Sequence, residues 1–333
     1  MNVLYAGSPE ISAKLLKNLH TLSARPESAW KICAVLSNPP SLKGRHSLPT
    51  PTAVAEYAAS CGLPVLVPEK LDEAAREAVR SFDAALLVCF SFGKIFGPKF
   101  LQLFPLGGIN VHPSLLPKYR GATPAPSAIL AGERESGVSI QKLALKMDSG
   151  NILAQQKIAL EKTDTGDIAE TTQTFLEKSV EVATGLLTNI LDDAAKLGML
   201  PAGSAQQEHD ATYCSIFPKE AALIDWSHSA LDISRKVRAF SPNPAAFTEL
   251  DGVRFLVHKA LPLPDDQGSA DSVALCGTIL RIDQKCGILV KCGDGGGTLA
   301  LQIVQKQGKK MLDFKDFVNG NAQLIGKRLG VKA

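Results

Sequence analysis

Val3-Leu4-Tyr5-Ala6-Gly7-Ser8-Pro9 is a short apolar run that stops on a glycine, a hydroxyl and a proline. It reads as a strand. Ser8 is suited to cap a helix that has Pro9 at its first position, and Leu15, Leu16 and Leu19 follow at helical spacing. Lys31 to Leu36 is the next strand-like run. A strand, a helix and a strand in that order predict a parallel sheet with a right-handed crossover. The turn between them lacks G-x-G-x-x-G, so it is not assigned to NAD.

Thr52 to Ser60 is helical, Val65 to Val67 a short strand, and Asp72 to Ser81 a helix capped by Asp72. The continuous apolar run Ala84 to Cys89 reads as a buried strand. It leads into Phe90-Ser91-Phe92-Gly93-Lys94-Ile95-Phe96, where a parallel sheet places its ligand crevice, at the carboxyl ends of strands. Pro124 to Ala131 is a helix, and Val138 to Leu145 and Ile152 to Ile158 are strands. Thr165 is suited to cap a long helix whose buried stripe is Ile168, Phe175, Leu176, Ala183, Leu187, Ile190, Leu191 and Ala194. The polar stretch 198–210 reads as a linker between a domain over 1–197 and a second over 211–333. In the second, a helix spans 229–239, and Asp251-Gly252 between two apolar runs signals a hairpin. Further short strands at 276–282, 286–292 and 298–304 suggest a small barrel.

Candidate chemistry concentrates in Gly108-Ile109-Asn110-Val111-His112-Pro113-Ser114-Leu115-Leu116-Pro117-Lys118-Tyr119-Arg120-Gly121. Asn110 and His112 alternate along an extended backbone, so both side chains lie on one side of it. Pro113 and Pro117 restrict φ and hold an irregular turn. An amide donor beside an imidazole suits acyl transfer: one stabilises a developing oxyanion, the other moves protons near neutral pH. Asp148, in Met147-Asp148-Ser149-Gly150, is a candidate to accept a bond from His112 and fix its tautomer. A lone histidine after a strand is more often a structural residue; the carboxylate is what strengthens the catalytic reading.

Asn110-x-His112-x-Ser114-Leu115-Leu116-Pro117, then Arg120-Gly121, then Asp148-Ser149-Gly150, resemble the motifs of the folate-dependent formyltransferases. Downstream, Tyr213, Lys219-Glu220, Asp225-Trp226 and Arg238-Ala239-Phe240-Ser241-Pro242-Asn243-Pro244 resemble the tRNA-formylating branch of that family. Here the aromatics that follow the second proline are reduced to Ala245, Ala246 and Phe247.

The resemblance implies an α/β protein: a Rossmann-like parallel-sheet formyltransferase domain followed by a smaller OB-like β-barrel. It implies formyl transfer from 10-formyltetrahydrofolate to the α-amino group of methionyl initiator tRNA. Asn110 and a protonated His112 would stabilise the oxyanion, and Asp148 would orient His112 and carry the amine proton. Ser114, Leu115, Leu116 and Pro117, with Phe92, Gly93 and Ile95, would form the folate pocket. The loop 37–51 is similar to one that reaches the tRNA acceptor end. The family's acidic residue and Gly-Arg-Gly run are altered there, leaving Lys43 or Arg45 as the key base. Lys306, Lys309 and Lys310 would add a phosphate-binding face. Rival readings are a formyltransferase for an amino sugar nucleotide, a formyl-folate hydrolase, and a non-catalytic RNA-binding protein.

Composition sets the outer limits. With 333 residues, 45% apolar and 21% charged, the chain suits a globular protein of two domains. No run of about 18 apolar residues predicts a membrane span. The start, Met1 to Ala6, lacks a basic leader before an apolar block, so no signal peptide is expected. Seven scattered cysteines without a C-x-x-C pair suggest no zinc site and a reducing cytosol. A monomer is expected. The net charge of +3 resolves into +4 over 211–333 and −1 over 1–210. That surplus suits RNA contact and an ordinary solvated surface equally.

Overall fold

The computed structural model describes residues 1–42, 48–160, 169–263, 274–293, 297–321 and 323–330. Its first sheet begins with β1 (Asn2–Gly7), followed by helix α1 (Glu10–Ser23) and β2 (Lys31–Leu36). A two-stranded pair, β3 (Ser41–Leu42) and β4 (Pro49–Thr50), precedes α2 (Ala53–Ser60) and β5 (Val65–Leu66). Then come α3 (Glu73–Arg80), β6 (Leu86–Phe90), α4 (Pro98–Leu101) and β7 (Gly108–His112). The segment β8 (Arg120–Gly121) is followed by α5 (Pro124–Leu130), β9 (Glu135–Lys142), β10 (Ile152–Ala159), α6 (Thr172–Leu197) and β11 (Tyr213–Cys214). The strand order is β10-β9-β7-β6-β1-β2-β5.

Strands β7, β6, β1, β2 and β5 run parallel, as the strand–helix–strand pattern predicts. β9 and β10 extend the sheet antiparallel. The central strands are apolar at successive positions because helices cover both faces of a parallel sheet. Val3, Leu4, Leu86, Leu87 and Val88 are fully buried. Thr52 and Asp72 cap their helices, each accepting a backbone N–H at 3.1 Å from Ala55 and Ala75.

Ser8 does not cap α1. Pro9 stands at the cap position with no side-chain bond to the helix. The Ser8 hydroxyl instead accepts from Asn38 Nδ2 at 2.8 Å, and the same amide donates to the Phe92 carbonyl at 2.6 Å. A side chain beyond β2 thus ties together the loops at the carboxyl ends of β1 and β6. That edge is where an open α/β sheet keeps its crevice.

Two compact units divide the chain. The first comprises Met1–Pro124, Glu135–Ala159 and Leu176–Cys214; the second Ala125–Arg134, Leu160–Phe175 and Ser215–Ala333. The stretch expected to be a linker therefore belongs to the first unit. Its polar residues are occupied there: Ser204 bridges Ile152 through paired backbone bonds, and the chain continues into β11 alongside β8. Thr165 and Ile168, read as the start of the long helix, lie outside the described residues.

The second unit holds α7 (Ala230–Ala239) and an antiparallel sheet: β12 (Ala246–Leu250), β13 (Val253–Leu263), β14 (Ile279–Asp283), β15 (Gly287–Lys291), β16 (Thr298–Lys306) and β17 (Leu312–Asp313), then α8 (Phe314–Asn319). Asp251 and Gly252 both have positive φ, +53° and +74°, as a two-residue hairpin turn requires. Ile233 and Val237 of α7 share one apolar core with Phe255, Val257, Leu301 and Phe317. The second unit is thus an antiparallel sheet with α7 and α8 packed into one core with it.

Candidate active site

The strand β7 ends at His112, and its period-two geometry carries Asn110 and His112 toward the same turn. Leading out of it, Ser114, Leu115, Leu116 and Pro117 form an irregular loop fixed by hydrogen bonds. The Ser114 hydroxyl donates to the Lys118 carbonyl at 2.7 Å. Ser139 Oγ donates to the Ser114 carbonyl at 2.7 Å and accepts from the Leu116 N–H at 3.1 Å. Ser114 and Leu116 are buried. These two side chains build the loop, and Leu115 and Pro117 are only half-buried.

Asp148 occupies the turn between β9 and β10, with a positive φ of +52°. Its carboxylate is held from two sides. Oδ1 accepts from Gln141 Nε2 at 2.7 Å, and Oδ2 accepts from the Gly121 N–H at 2.8 Å. Asn110 Nδ2 reaches Oδ1 at 3.4 Å, a long bond that leaves the amide available to another acceptor. The structure thus brings Asn110 and His112, at the end of β7, together with Asp148 from a separate turn.

His112 departs from expectation in two respects. Its Nδ1 lies 3.7 Å from Asp148 Oδ2, beyond hydrogen-bond length. The ring is held by the Tyr119 carbonyl, 2.8 Å from Nε2. Nor does the resting ring favour the protonated form. Burial pushes the imidazole below its ordinary range, against the opposing pull of Asp148 and the Tyr119 carbonyl. A neutral ring with hydrogen on Nε2 leaves the Nδ1 lone pair facing the carboxylate.

Glycines make the close approaches possible. Gly121 has φ +119°, and a Cβ there would stand 2.0 Å from the Cys214 carbonyl oxygen. A Cβ on Gly150 would stand 1.8 Å from the Lys142 carbonyl oxygen. The Arg-Gly and Asp-x-Gly pairs are therefore steric requirements of this packing.

Residues 1–184 match the formyl transferase family and residues 217–322 match the formyl transferase, C-terminal domain family. A methionyl-tRNA formyltransferase of Treponema denticola is 40% identical, with 98% of each chain covered. One from Borrelia hermsii is 36% identical, covering 98% of this chain and 99% of its own. The chain belongs to the methionyl-tRNA formyltransferase family.

Solved structures share the fold of this formyltransferase. A sugar 3N-formyl transferase, crystallised with dTDP and 5-N-formyl-THF, is 15% identical with a TM-score of 0.59, covering 93% of this chain and 99% of its own. HypX from Aquifex aeolicus, in complex with tetrahydrofolic acid, is 15% identical with a TM-score of 0.61. This chain spans 48% of its length.

The remaining residues singled out in the formyltransferase sequence have distinct placements. Phe92 is buried and stacks on Phe96 at 5.2 Å between centroids, so its ring is core. Gly93 turns with φ +82°, and a Cβ there would meet only Asn38 Nδ2, at 3.9 Å. Ile95 is 74% exposed. Lys43 and Arg45 lie outside the described residues. Lys309 and Lys310 are exposed on the turn after β16, whereas the Lys306 ammonium donates to Asn321 Oδ1 at 2.6 Å. Lys306 is thereby committed within the fold.

Sequence reasoning missed Tyr119, Gln141 and Gln206. Tyr119 acts through its backbone carbonyl, which its side-chain identity does not announce, and Gln141 and Gln206 through side-chain amides that no motif marks, Gln206 from 58 residues away. It also left Arg120 without a role. That side chain is 1% exposed and donates to Gln206, Glu208 and the Tyr213 hydroxyl. Lys146 and Arg120 hold the Glu208 carboxyl down to about 2. Among the described residues, no group of three or more His, Cys, Asp or Glu is arranged to hold a metal, and no helix is long and apolar enough to cross a membrane.

Proposed function

We propose that this protein transfers the formyl group of 10-formyltetrahydrofolate to the α-amino group of methionyl initiator tRNA, giving N-formylmethionyl-tRNA for translation initiation. The observation that carries this reading is the meeting of Asn110, His112 and Asp148 at a strand end in a chain 40% identical to a methionyl-tRNA formyltransferase over nearly its whole length.

The residues divide the work as follows. The half-buried Asn110 donates Nδ2–H to the formyl oxygen as it gains charge. His112 Nδ1 and Asp148 Oδ2 are two acceptors 3.7 Å apart, a spacing that suits one N–H donor shared between them. The attacking amine supplies that donor. Its ordinary pKa is about 7.7–8.0, and the adjacent ester lowers it, so little deprotonation is needed before attack. The proton gathered at His112 and Asp148 is returned to the nitrogen that leaves. Catalysis is mostly positioning and charge stabilisation.

Formyl-folate fits the sheet's carboxyl edge. The open, left-handed turn at Gly93 admits close approach of a flat ring to the Phe92–Ile95 backbone. The loop from Ser114 to Pro117 shapes the opposite wall. Lys309 and Lys310 meet tRNA phosphates, with Lys43 or Arg45 at the acceptor end. The protein acts as a monomer in the cytosol.

The deciding experiment offers purified protein and 10-formyltetrahydrofolate a choice of acceptors: charged initiator tRNA, a nucleotide-linked amino sugar, or water alone. The expected result is formylation of the tRNA. Formylation of the sugar alone, or release of formate without an amine, overturns the reading.

A further inference from the structure

Gln206 has no place in the chemistry described above, yet every polar atom of its side chain is engaged around Asp148. Its Nε2 donates to the Asp148 carbonyl at 2.9 Å and to the Gly150 carbonyl at 2.7 Å, with Gln141 Oε1 further off at 3.3 Å. Its Oε1 accepts from Arg120 Nε at 3.0 Å. Both amide hydrogens are thus spent on the turn that carries the carboxylate.

The neighbours complete a closed arrangement. Gln141 donates to Asp148 Oδ1, and Gly121, the residue after Arg120, donates its backbone N–H to Asp148 Oδ2. Arg120 is anchored in turn by Glu208 at 2.8 Å and the Tyr213 hydroxyl at 3.0 Å. Asp148 sits at φ +52°, in the left-handed region that few non-glycine residues adopt and that Asp enters more readily than most. The bonds from Gln206 to carbonyls 148 and 150 span that residue.

We propose that Gln206 is a positioning residue for Asp148. It fixes the left-handed turn at 148–150 so that the carboxylate faces Asn110 and His112 before substrate arrives. The kinetic part of the test rests on the proposed function; the spectroscopic part does not.

Three variants test this: Gln206→Leu removes all four contacts, Gln206→Glu keeps the acceptor for Arg120 but loses the donors, and the exposed neighbour Gln207→Leu is the control. Both Gln206 variants should lower kcat with charged initiator tRNA by roughly ten- to a hundredfold, as small misplacements of catalytic groups do. KM for each substrate should stay near the wild-type value, the pattern of an interaction felt in the transition state. The imidazole ¹⁵N resonances of His112, which sense the nearby carboxylate, should move in both Gln206 variants and stay put in Gln207→Leu. A folded Gln206→Glu protein with kcat within about twofold of wild type and unmoved His112 resonances overturns the proposal. If wild-type protein does not formylate the tRNA, the functional reading fails by itself. The resonances then decide: moved signals support the role of Gln206, and unmoved signals overturn it.

Discussion

The backbone carbonyl of Tyr119 stands 2.8 Å from Nε2 of His112, and a carbonyl can only accept. The neutral ring therefore carries its hydrogen on Nε2. ¹⁵N NMR of the free protein at neutral pH should show this tautomer. Burial keeps the native ring below its ordinary pKa, while the unfolded chain takes up a proton below about 6.5. This contribution to stability is complete above that value and is lost as pH falls through the native midpoint. Denaturant unfolding from about pH 8 to about pH 5 should show wild type losing more stability than His112→Gln. Parallel losses would show that His112 does not contribute.

Asn110→Ala should lower kcat by roughly 10²–10³, the effect of losing one oxyanion donor. Asn110 is half-buried and bonds only weakly to Asp148, at 3.4 Å, so the variant should unfold near the wild-type temperature. Steady-state kinetics with formyl-folate and charged tRNA measure the first expectation, and a thermal scan the second.

Asp148→Asn sets an amide against two donors, Gln141 Nε2 and the Gly121 N–H. At least one of these must lose its partner. Turnover should fall by roughly 10²–10⁴, the usual contribution of a positioned acid–base group. The pH–rate profile should change shape as well as height. A profile that merely scales down would remove Asp148 from proton transfer.

Gly121→Ala asks for a Cβ 2.0 Å from the Cys214 carbonyl oxygen at φ +119°. The chain must shift, and the backbone bond to Asp148 Oδ2 shifts with it. Backbone strain of this kind costs about 1–3 kcal/mol. Chemical denaturation should register that loss together with reduced kcat, whereas Gly185→Ala, on an open face of α6, should leave kcat unchanged and raise stability by about 0.5–1 kcal/mol.

Lys309 and Lys310 are exposed, while Lys306 is bonded to Asn321. Replacing the first two with Gln should weaken tRNA binding and flatten its dependence on salt. Lys306→Gln should act on thermal stability and leave the salt slope close to wild type. Binding titrations at several salt concentrations separate the two cases.

Much of the fold was legible because its signals are local. The apolar run at Val3, the helical leucines 15, 16 and 19, the cap at Asp72, and the Asp251-Gly252 turn each act within a few residues. Asn110 and His112 were legible as a pair because strand geometry repeats every second residue. What hid were groups defined by distant neighbours. Ser8 bonds Asn38 instead of a helix end, and the Tyr119 carbonyl leaves no trace in its side-chain identity. The neutral state of His112 follows from burial, which spacing does not encode. Residues 198–210 look like a linker by composition, and their hydrogen bonds to Ile152, Asp148 and Arg120 appear only once the chain is folded.

The allocation of residues 125–134 and 160–175 to the second compact unit bears on how such a protein can be dissected. Ile129, from the N-terminal half of the sequence, is fully buried with Ala222, Ala239 and Phe240. A fragment truncated near position 210 would strip that side chain of its apolar neighbours and leave a sticky, poorly behaved polypeptide. Shuffling the two halves between homologues would meet the same obstacle, since a donor segment must complement this borrowed patch. The chain therefore does not offer a clean cut between its two compact units.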